Sequence, residues 1–321
     1  MQEFSFISKL LSPLTFNNKE ALGLKDDAAI IPSKPGYDIV ITKDMIAEGT
    51  HFFKGDDPKN LAKKLLRVNI SDLAAKGATP YCCFLSIALP KNISEKWLKD
   101  FSSSLKEDLN LYGLFLSGGD TIAHNGNLVL SLTALGLIKK NKTILRSGAK
   151  EGDLIFVTGN IGDSYLGLQI LKGDLQTTKK NCELLVSRYH LPQPRIQIGK
   201  KLVNIASSAV DISDGLIADL EHICECSEAA AIINLNDIPL STMARDITKK
   251  HPNLLLNIIS GGDDYEILFT ASQDKFKQIK QLSKSSGIPI IKIGSITKGK
   301  NIRLLDDNGK EIEIKNKGYE H

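Results

Sequence analysis

The sequence predicts an α/β protein of layered strands and helices, built in two domains. Three observations carry that expectation. Short apolar runs of strand length alternate with segments whose apolar residues recur at helical spacing. The chain has 321 residues, enough for two domains of ordinary size. A composition shift at Lys150-Glu151-Gly152-Asp153 places a boundary near 148–152, giving domains 1–148 and 149–321. Hydrophobic residues make up 42% and charged residues 24%, a normal globular balance. The formal charge of +4 is mild, and the short lysine tracts, such as Lys139-Lys140-Asn141-Lys142, have no interleaved aromatic residues. They read as solvated turns, so no nucleic-acid partner is expected. No apolar run approaches the ~20 residues of a membrane span, and Met1–Phe6 lacks a secretory pattern. The five cysteines (Cys82, Cys83, Cys182, Cys224, Cys226) lack zinc-ligand spacing, which suits a reducing, cytoplasmic setting.

Taken in order, residues 1 to 20 form an amphipathic lead, followed by two acids at Asp26-Asp27. Tyr37 to Thr42 reads as a strand that stops at Lys43-Asp44. His51 follows in a loop and is read either as a packing histidine or as a ligand contact. Asp57 caps a long helix that starts at Pro58. Its apolar stripe, Leu61, Leu65, Val68 and Ala75, includes Asp72. A carboxylate in a core-facing slot needs a partner, which is either a metal ion or a cation such as Arg67 or Lys76. Tyr81 to Ala88 is a strand, and Ser94 caps a helix running to Leu111. A short strand, Leu114 to Leu116, runs into Ser117-Gly118-Gly119-Asp120-Thr121, where paired glycines let the backbone approach a ligand or make a plain turn. Asn127 to Ile138 reads as a strand.

The second half continues with a strand at Leu154 to Thr158 and a helix at Tyr165 to Leu171. Residues 172–181 read as polar connection. Another helix spans Ile196 to Ile205. The central stretch, Ser208 to Leu220, starts as a buried strand and ends on a helix face. Between them stand Asp211, Ser213, Asp214 and Gly215. Ser213 or Asp214 can cap the helix, but one cap does not account for both acids. Further strands are expected at Ala231 to Leu235, Pro289 to Ile293 and after Ser260-Gly261-Gly262-Asp263. A helix is expected at Asp274 to Ser286, and a hairpin around Asp307-Asn308-Gly309. Asn69-Ile70-Ser71-Asp72 echoes Asp211-Ile212-Ser213-Asp214, and Gly118-Gly119-Asp120 echoes Gly261-Gly262-Asp263.

Acids therefore recur at strand ends beside glycines and hydroxyls. Such carboxylates repel one another unless divalent cations join them, and Mg²⁺ takes few carboxylates together with phosphate oxygens. A multi-metal phosphoryl-handling site follows. The one Walker-like run, Gly294 to Lys300, lacks the following Ser or Thr and leads into a strand, so it is rejected.

Read together, Lys25-Asp26-Asp27-Ala28, Thr42-Lys43-Asp44, Gly49-Thr50-His51-Phe52, Val68 to Ala78, Gly118-Gly119-Asp120-Thr121, Arg146-Ser147-Gly148-Ala149, Asp211 to Leu216, Ser260 to Glu266 and Gly318-Tyr319-Glu320-His321 resemble the thiamine-monophosphate kinase family. That family belongs to the aminoimidazole ribonucleotide synthetase-like superfamily. The resemblance implies a homodimer whose N-terminal domains join their sheets into a β-barrel, with a C-terminal α/β domain completing the site for ATP and several Mg²⁺ ions. It implies an enzyme that moves the γ-phosphoryl group of ATP directly onto thiamine monophosphate, giving thiamine diphosphate. Asp27, Thr42, Asp44, Asp72, Asp120, Asp211 and Asp214 match metal positions. Gly119, Asp120, Arg146 and Ser213, with Tyr112, match nucleotide contacts, and His51, Asp263 and Tyr319 match substrate contacts. Asp72, Asp120, Arg146 and Asp214 are the expected catalytic group. Two departures stand out: Asp263 replaces a usual Glu, and Lys43 replaces a usual Thr. The alternatives are a selenophosphate synthetase-like transferase, against which the absence of Cys from the first 81 residues counts, and a non-catalytic nucleotide-binding protein.

Overall fold

The computed structural model describes residues 3–26, 28–314 and 316–319. It divides into two compact units, residues 1–73 with 78–141 and residues 74–77 with 142–321.

The first unit runs through α1 (Glu3–Phe6), β1 (Tyr37–Ala47), most of α2 (Pro58–Ala75), β2 (Thr79–Pro90), α3 (Glu95–Tyr112), β3 (Phe115–His124) and β4 (Val129–Lys139). Its four strands lie in the order β1-β4-β2-β3, and only β2 and β3 are parallel. A parallel neighbour requires a crossover, which α3 supplies. The helix starts follow capping chemistry. Asp57 Oδ1 accepts from the Lys59 N–H at 2.9 Å, and Ser94 Oγ from the Trp97 N–H at 3.1 Å. Strand β1 alternates with a period of two, its odd positions from Tyr37 to Met45 exposed and its even positions half-buried or buried. Thr42 and Asp44 therefore share the inner face.

The second unit comprises β5 (Leu154–Thr158), α4 (Asp163–Lys172), α5 (Lys179–His190), α6 (Ile196–Leu202), β6 (Ser208–Asp211), α7 (Leu216–Cys226), β7 (Ala230–Asn234), α8 (Thr242–Lys250), α9 (Leu254–Ile259), β8 (Ile267–Ala271), α10 (Phe276–Ser286), β9 (Ile290–Thr297), β10 (Ile302–Leu305) and β11 (Glu311–Ile312). The strands form one sheet in the order β11-β10-β7-β9-β5-β8-β6. The apolar stripe of α7 (Leu216, Ile217, Leu220, Ile223) is fully buried with Val210, Ile233, Leu268 and Ile293 from the sheet. Each such side chain contributes about 1.5–3 kcal/mol through burial. A second cluster joins α4, α5, α8 and α9 through Leu166, Leu185, Ala244 and Ile258. Phe156 and Phe269 stack with ring centroids 5.2 Å apart.

The second sheet is mixed, with β10 and β7 its one parallel pair among the described strands. Several local expectations are corrected. Asp44 lies inside β1, because pairing with β4 continues to Ala47. Gly118-Gly119-Asp120 is strand, not turn, since β3 runs through it beside β2. A side chain at Gly119 would put its Cβ 1.8 Å from the Leu85 carbonyl oxygen, so glycine is what lets these two strands close. The internal echoes do not share a conformation. Asn69–Asp72 is mid-helix while Asp211–Asp214 leaves a strand, and Gly261–Asp263 is loop while Gly118–Asp120 is strand. Helices α5, α8 and α9 were not anticipated; α5 carries its apolar residues too sparsely among charges to show a stripe.

Candidate active site

In the first unit, the inner face of β1 meets α2. Thr42 Oγ1 donates to Asp72 Oδ2 at 2.5 Å. Two residues on, the Asp44 N–H donates to Asn69 Oδ1 at 3.0 Å, and Asn69 Nδ2 is held by the Leu65 carbonyl at 2.9 Å. Asn69 is fully buried and fixes β1 against α2, a role that sequence reading did not assign to it. Asp72 is half-buried rather than in the core, because its slot on the helix stripe faces the Thr42 hydroxyl. Of the partners expected for Asp72, the Arg67 ion pair is not formed; Asp72 meets the Thr42 hydroxyl. Arg67 instead pairs with Asp108, its Nε 2.6 Å from Oδ2, and its guanidinium sits over the Tyr112 ring at 5.9 Å. Tyr112 is accordingly engaged with Arg67.

His51 Nδ1 accepts from the Ala47 N–H at 3.2 Å, which places the proton of the neutral ring on Nε2. Asp120 lies elsewhere. Asp44, Leu132, Leu85 and Gly119 form one row across the sheet. Asp120 is one position past that row on the opposite edge strand, three strand spacings or roughly 14 Å away. It is exposed, and its Oδ1 accepts from the Thr121 N–H at 2.9 Å. Asp27 lies outside the described residues.

The second unit draws its expected residues together more tightly. β6 ends at Asp211, which is 4% exposed. The loop that follows is bonded to the segment after α9. The Asp263 N–H donates to the Ser213 carbonyl at 2.8 Å and the Tyr265 N–H to the Ile212 carbonyl at 2.8 Å, while the Ile212 N–H donates to the Glu266 carbonyl at 2.9 Å. The Tyr319 N–H donates to the Asp214 carbonyl at 2.9 Å. Thus Ser213, Asp214, Asp263 and Tyr319, far apart in sequence, meet through their backbones. The Tyr319 ring is half exposed. Tyr265 Oη donates to Asp263 Oδ1 at 3.0 Å. Asp263 and Tyr265 both sit in left-handed conformation, at φ +63° and +51°. Non-glycine residues held there store of order 1–3 kcal/mol of strain each, a feature of ligand sites.

Two carboxylates, the half-buried Asp264 and the buried Glu266, hold this strained segment. Asp264 accepts from the Gly162 N–H at 2.8 and 3.0 Å, and burial raises its carboxyl well above the usual range. Glu266 is 1% exposed and receives both Arg195, Nε to Oε2 at 2.6 Å and Nη2 to Oε1, and the Thr158 hydroxyl at 2.6 Å. Burial raises the Glu266 carboxyl too, and Arg195 opposes the shift.

The helix cap is also corrected. Neither Ser213 nor Asp214 caps α7. Its N-cap is Gly215, and Asp219 in the first turn reaches back to the loop instead. Burial, then the nearby Asp214 charge, push the Asp219 carboxyl up to about 7; backbone N–H groups and Arg146 pull the other way. Arg146 is exposed, and its carbonyl accepts from Ser227 Oγ at 3.4 Å. Asp219 stands among Leu216, Leu220 and Ile223 on the buried face of α7.

Thr42, Asp44 and Asp72 in the first unit, and Asp211 and Asp214 in the second, offer oxygen atoms only, the kind Mg²⁺ takes rather than a softer metal. Thr42 Oγ1 and Asp72 Oδ2 lie side by side through their hydrogen bond, a hydroxyl and a carboxylate oxygen at one place. Among the described residues, Asp214, Asp219 and His222 also offer ligand atoms within 4.8 Å of one another.

Known proteins share this organisation. Residues 25–138 match the family model "AIR synthase related protein, N-terminal domain", and residues 150–307 match "AIR synthase related protein, C-terminal domain". The thiamine-monophosphate kinase of Buchnera aphidicola subsp. Schizaphis graminum is 42% identical, across 99% of this chain and 98% of its own. The crystal structure of the thiamine-monophosphate kinase from Stenotrophomonas maltophilia K279a superposes with a TM-score of 0.87 at 33% identity, covering 97% of this chain and 98% of that one. The structure of AaThiL complexed with AMPPCP and TMP gives a TM-score of 0.79 at 27% identity, covering 99% of this chain and 97% of that one. The chain is a member of the thiamine-monophosphate kinase family, within the AIR synthase-related proteins.

Proposed function

We propose that this chain is an ATP-dependent kinase that phosphorylates thiamine monophosphate to thiamine diphosphate. The observation that carries the reading is the backbone-bonded group of Ser213, Asp214, Asp263 and Tyr319. It sets residues matched to nucleotide and metal beside residues matched to the thiamine phosphate. Full-length similarity to thiamine-monophosphate kinases, and to a relative complexed with AMPPCP and TMP, supports the same substrates.

The acceptor is a phosphate oxygen, already anionic, so no strong general base is needed. Catalysis then consists of alignment and charge compensation. In the first unit, Asp27, Thr42, Asp44, Asp72 and Asp120 would hold magnesium; in the second, Asp211 and Asp214. Bound Mg²⁺ supplies charge neutralisation at the transferring phosphates. Gly119, Arg146, Ser213 and Asp120 would face the nucleotide, with Arg146 offsetting charge on its phosphates. Tyr112 is a weaker nucleotide contact, given its packing on Arg67. His51 would offer an N–H from Nε2, Asp263 an acceptor and Tyr319 a ring to the thiamine phosphate. Asp263, one methylene shorter than the Glu the family often has there, sits in left-handed conformation.

The N-terminal domain, 1–148, serves nucleotide, metal and dimerisation, and the C-terminal domain, 149–321, supplies the remaining ligands. Homodimerisation through joined sheets accords with the two open edge strands, β1 and β3, and with exposed Ile39, Ile41, Met45 and Ile122 on them. A cytoplasmic setting accords with five unpaired cysteines; no helix among the described residues is long and apolar enough to cross a membrane. A coupled ADP-release assay tests the proposal. ADP should appear only when ATP, Mg²⁺ and thiamine monophosphate are all present; no turnover with all three would sink it.

A further inference from the structure

Asp219 has no role in the motif readings above, yet it reaches from α7 into the second unit's loop. Its Oδ2 accepts from three successive backbone N–H groups, Ser213 at 3.1 Å, Asp214 at 3.1 Å and Gly215 at 3.2 Å. The residue is 1% exposed and stands in the first turn of α7. The N-cap itself, Gly215, has no side-chain acceptor to offer. Gly215 sits at φ +131°, and a Cβ there would lie 2.8 Å from the Ser260 carbonyl, so the loop is confined from the far side as well. One oxygen thus fixes three consecutive peptide planes, and those planes decide where the Ser213 hydroxyl and the Asp214 carboxylate begin.

We propose that Asp219 is a positioning residue for the magnesium nucleotide: it fixes the Ser213–Gly215 backbone so that the Asp214 carboxylate and Ser213 hydroxyl are presented together. The inference rests on the kinase reading of the same loop. The competing role is direct metal ligation, since Asp214, Asp219 and His222 can offer ligand atoms within 4.8 Å of one another. Positioning is favoured because Oδ2 already faces three N–H hydrogens, whose partial positive charge opposes a cation at that oxygen. What positioning requires is an acceptor oxygen in place, not a charge.

The full chain should be titrated calorimetrically with AMPPCP in the presence of Mg²⁺, for the parent and for Asp219→Ala, Asp219→Asn and Asp219→Glu, with cooperative melting checked for each. Asp219→Ala should weaken binding about 10–100-fold, the range for losing an outer-shell partner of a metal site. Asp219→Asn keeps a neutral acceptor at the same place and should stay within about fivefold of the parent. Asp219→Glu keeps the charge but displaces the oxygen by a methylene, and should lose binding like Ala. If Asp219→Ala does not fold, the Asn and Glu pair decides. Asn weak with Glu intact would overturn positioning in favour of ligation or charge, and three variants like the parent would overturn any role. A parent chain that binds no AMPPCP with Mg²⁺ would instead sink the kinase reading itself.

Discussion

A carboxylate near a helix N-terminus is stabilised by the unpaired N–H groups there, and Asp219 takes that general effect to a specific end. By collecting three N–H donors on one oxygen it leaves Asp214, the neighbouring acid, turned to other work. Asp214 makes its own case at this scale. Asp214→Asn removes charge while keeping size, so the fold should persist and turnover should fall by about 100- to 1,000-fold, the range for losing one electrostatic partner of the transferring group. Steady-state kinetics and a melting curve check both parts. Near-parent activity would remove Asp214 from the metal set.

At the scale of elements, the second unit's site is a contact between two loops, and Arg195 and Glu266 are its anchor. The pair is nearly dry, with the Arg195 side chain 13% exposed and that of Glu266 1%. Breaking such a pair strands a charge and costs about 3–5 kcal/mol. Arg195→Met should therefore lower the unfolding free energy obtained from urea melts by that amount, moving the midpoint down in proportion, and an unchanged midpoint would show that Glu266 is held by other means. Most strands and helices could be read from alternation and caps, as the hydrogen bonds of Asp57 and Ser94 show. The acidic motifs could also be read, because metal-ligand chemistry restricts residue type. What could not be read was pairing. Nothing local in Gly118-Gly119-Asp120 says that β2 will lie against it, and only that neighbour turns an apparent turn into strand. Asn69 and Asp219 escape the sequence for the same reason: their partners are backbone groups, which leave no pattern in side-chain sequence.

At the scale of the whole molecule, the first unit's sheet ends in edge strands at β1 and β3, and β1 presents Ile39, Ile41 and Met45 to the outside. Exposed apolar edges invite pairing with another chain unless covered. If a second copy covers them, Ile41→Lys should shift the mass seen by analytical ultracentrifugation from dimer toward monomer. A parent chain that sediments as a monomer at micromolar concentration would contradict the dimer.

The defining step of the proposed activity is direct passage of the γ-phosphoryl group of ATP to the phosphate of thiamine monophosphate. The most direct measurement follows the label of [γ-³²P]ATP into products in the presence of Mg²⁺ and thiamine monophosphate. One labelled thiamine diphosphate is expected for each ADP formed, and none after EDTA removes the metal. Label released as inorganic phosphate, or ADP formed at the same rate without thiamine monophosphate, would contradict it.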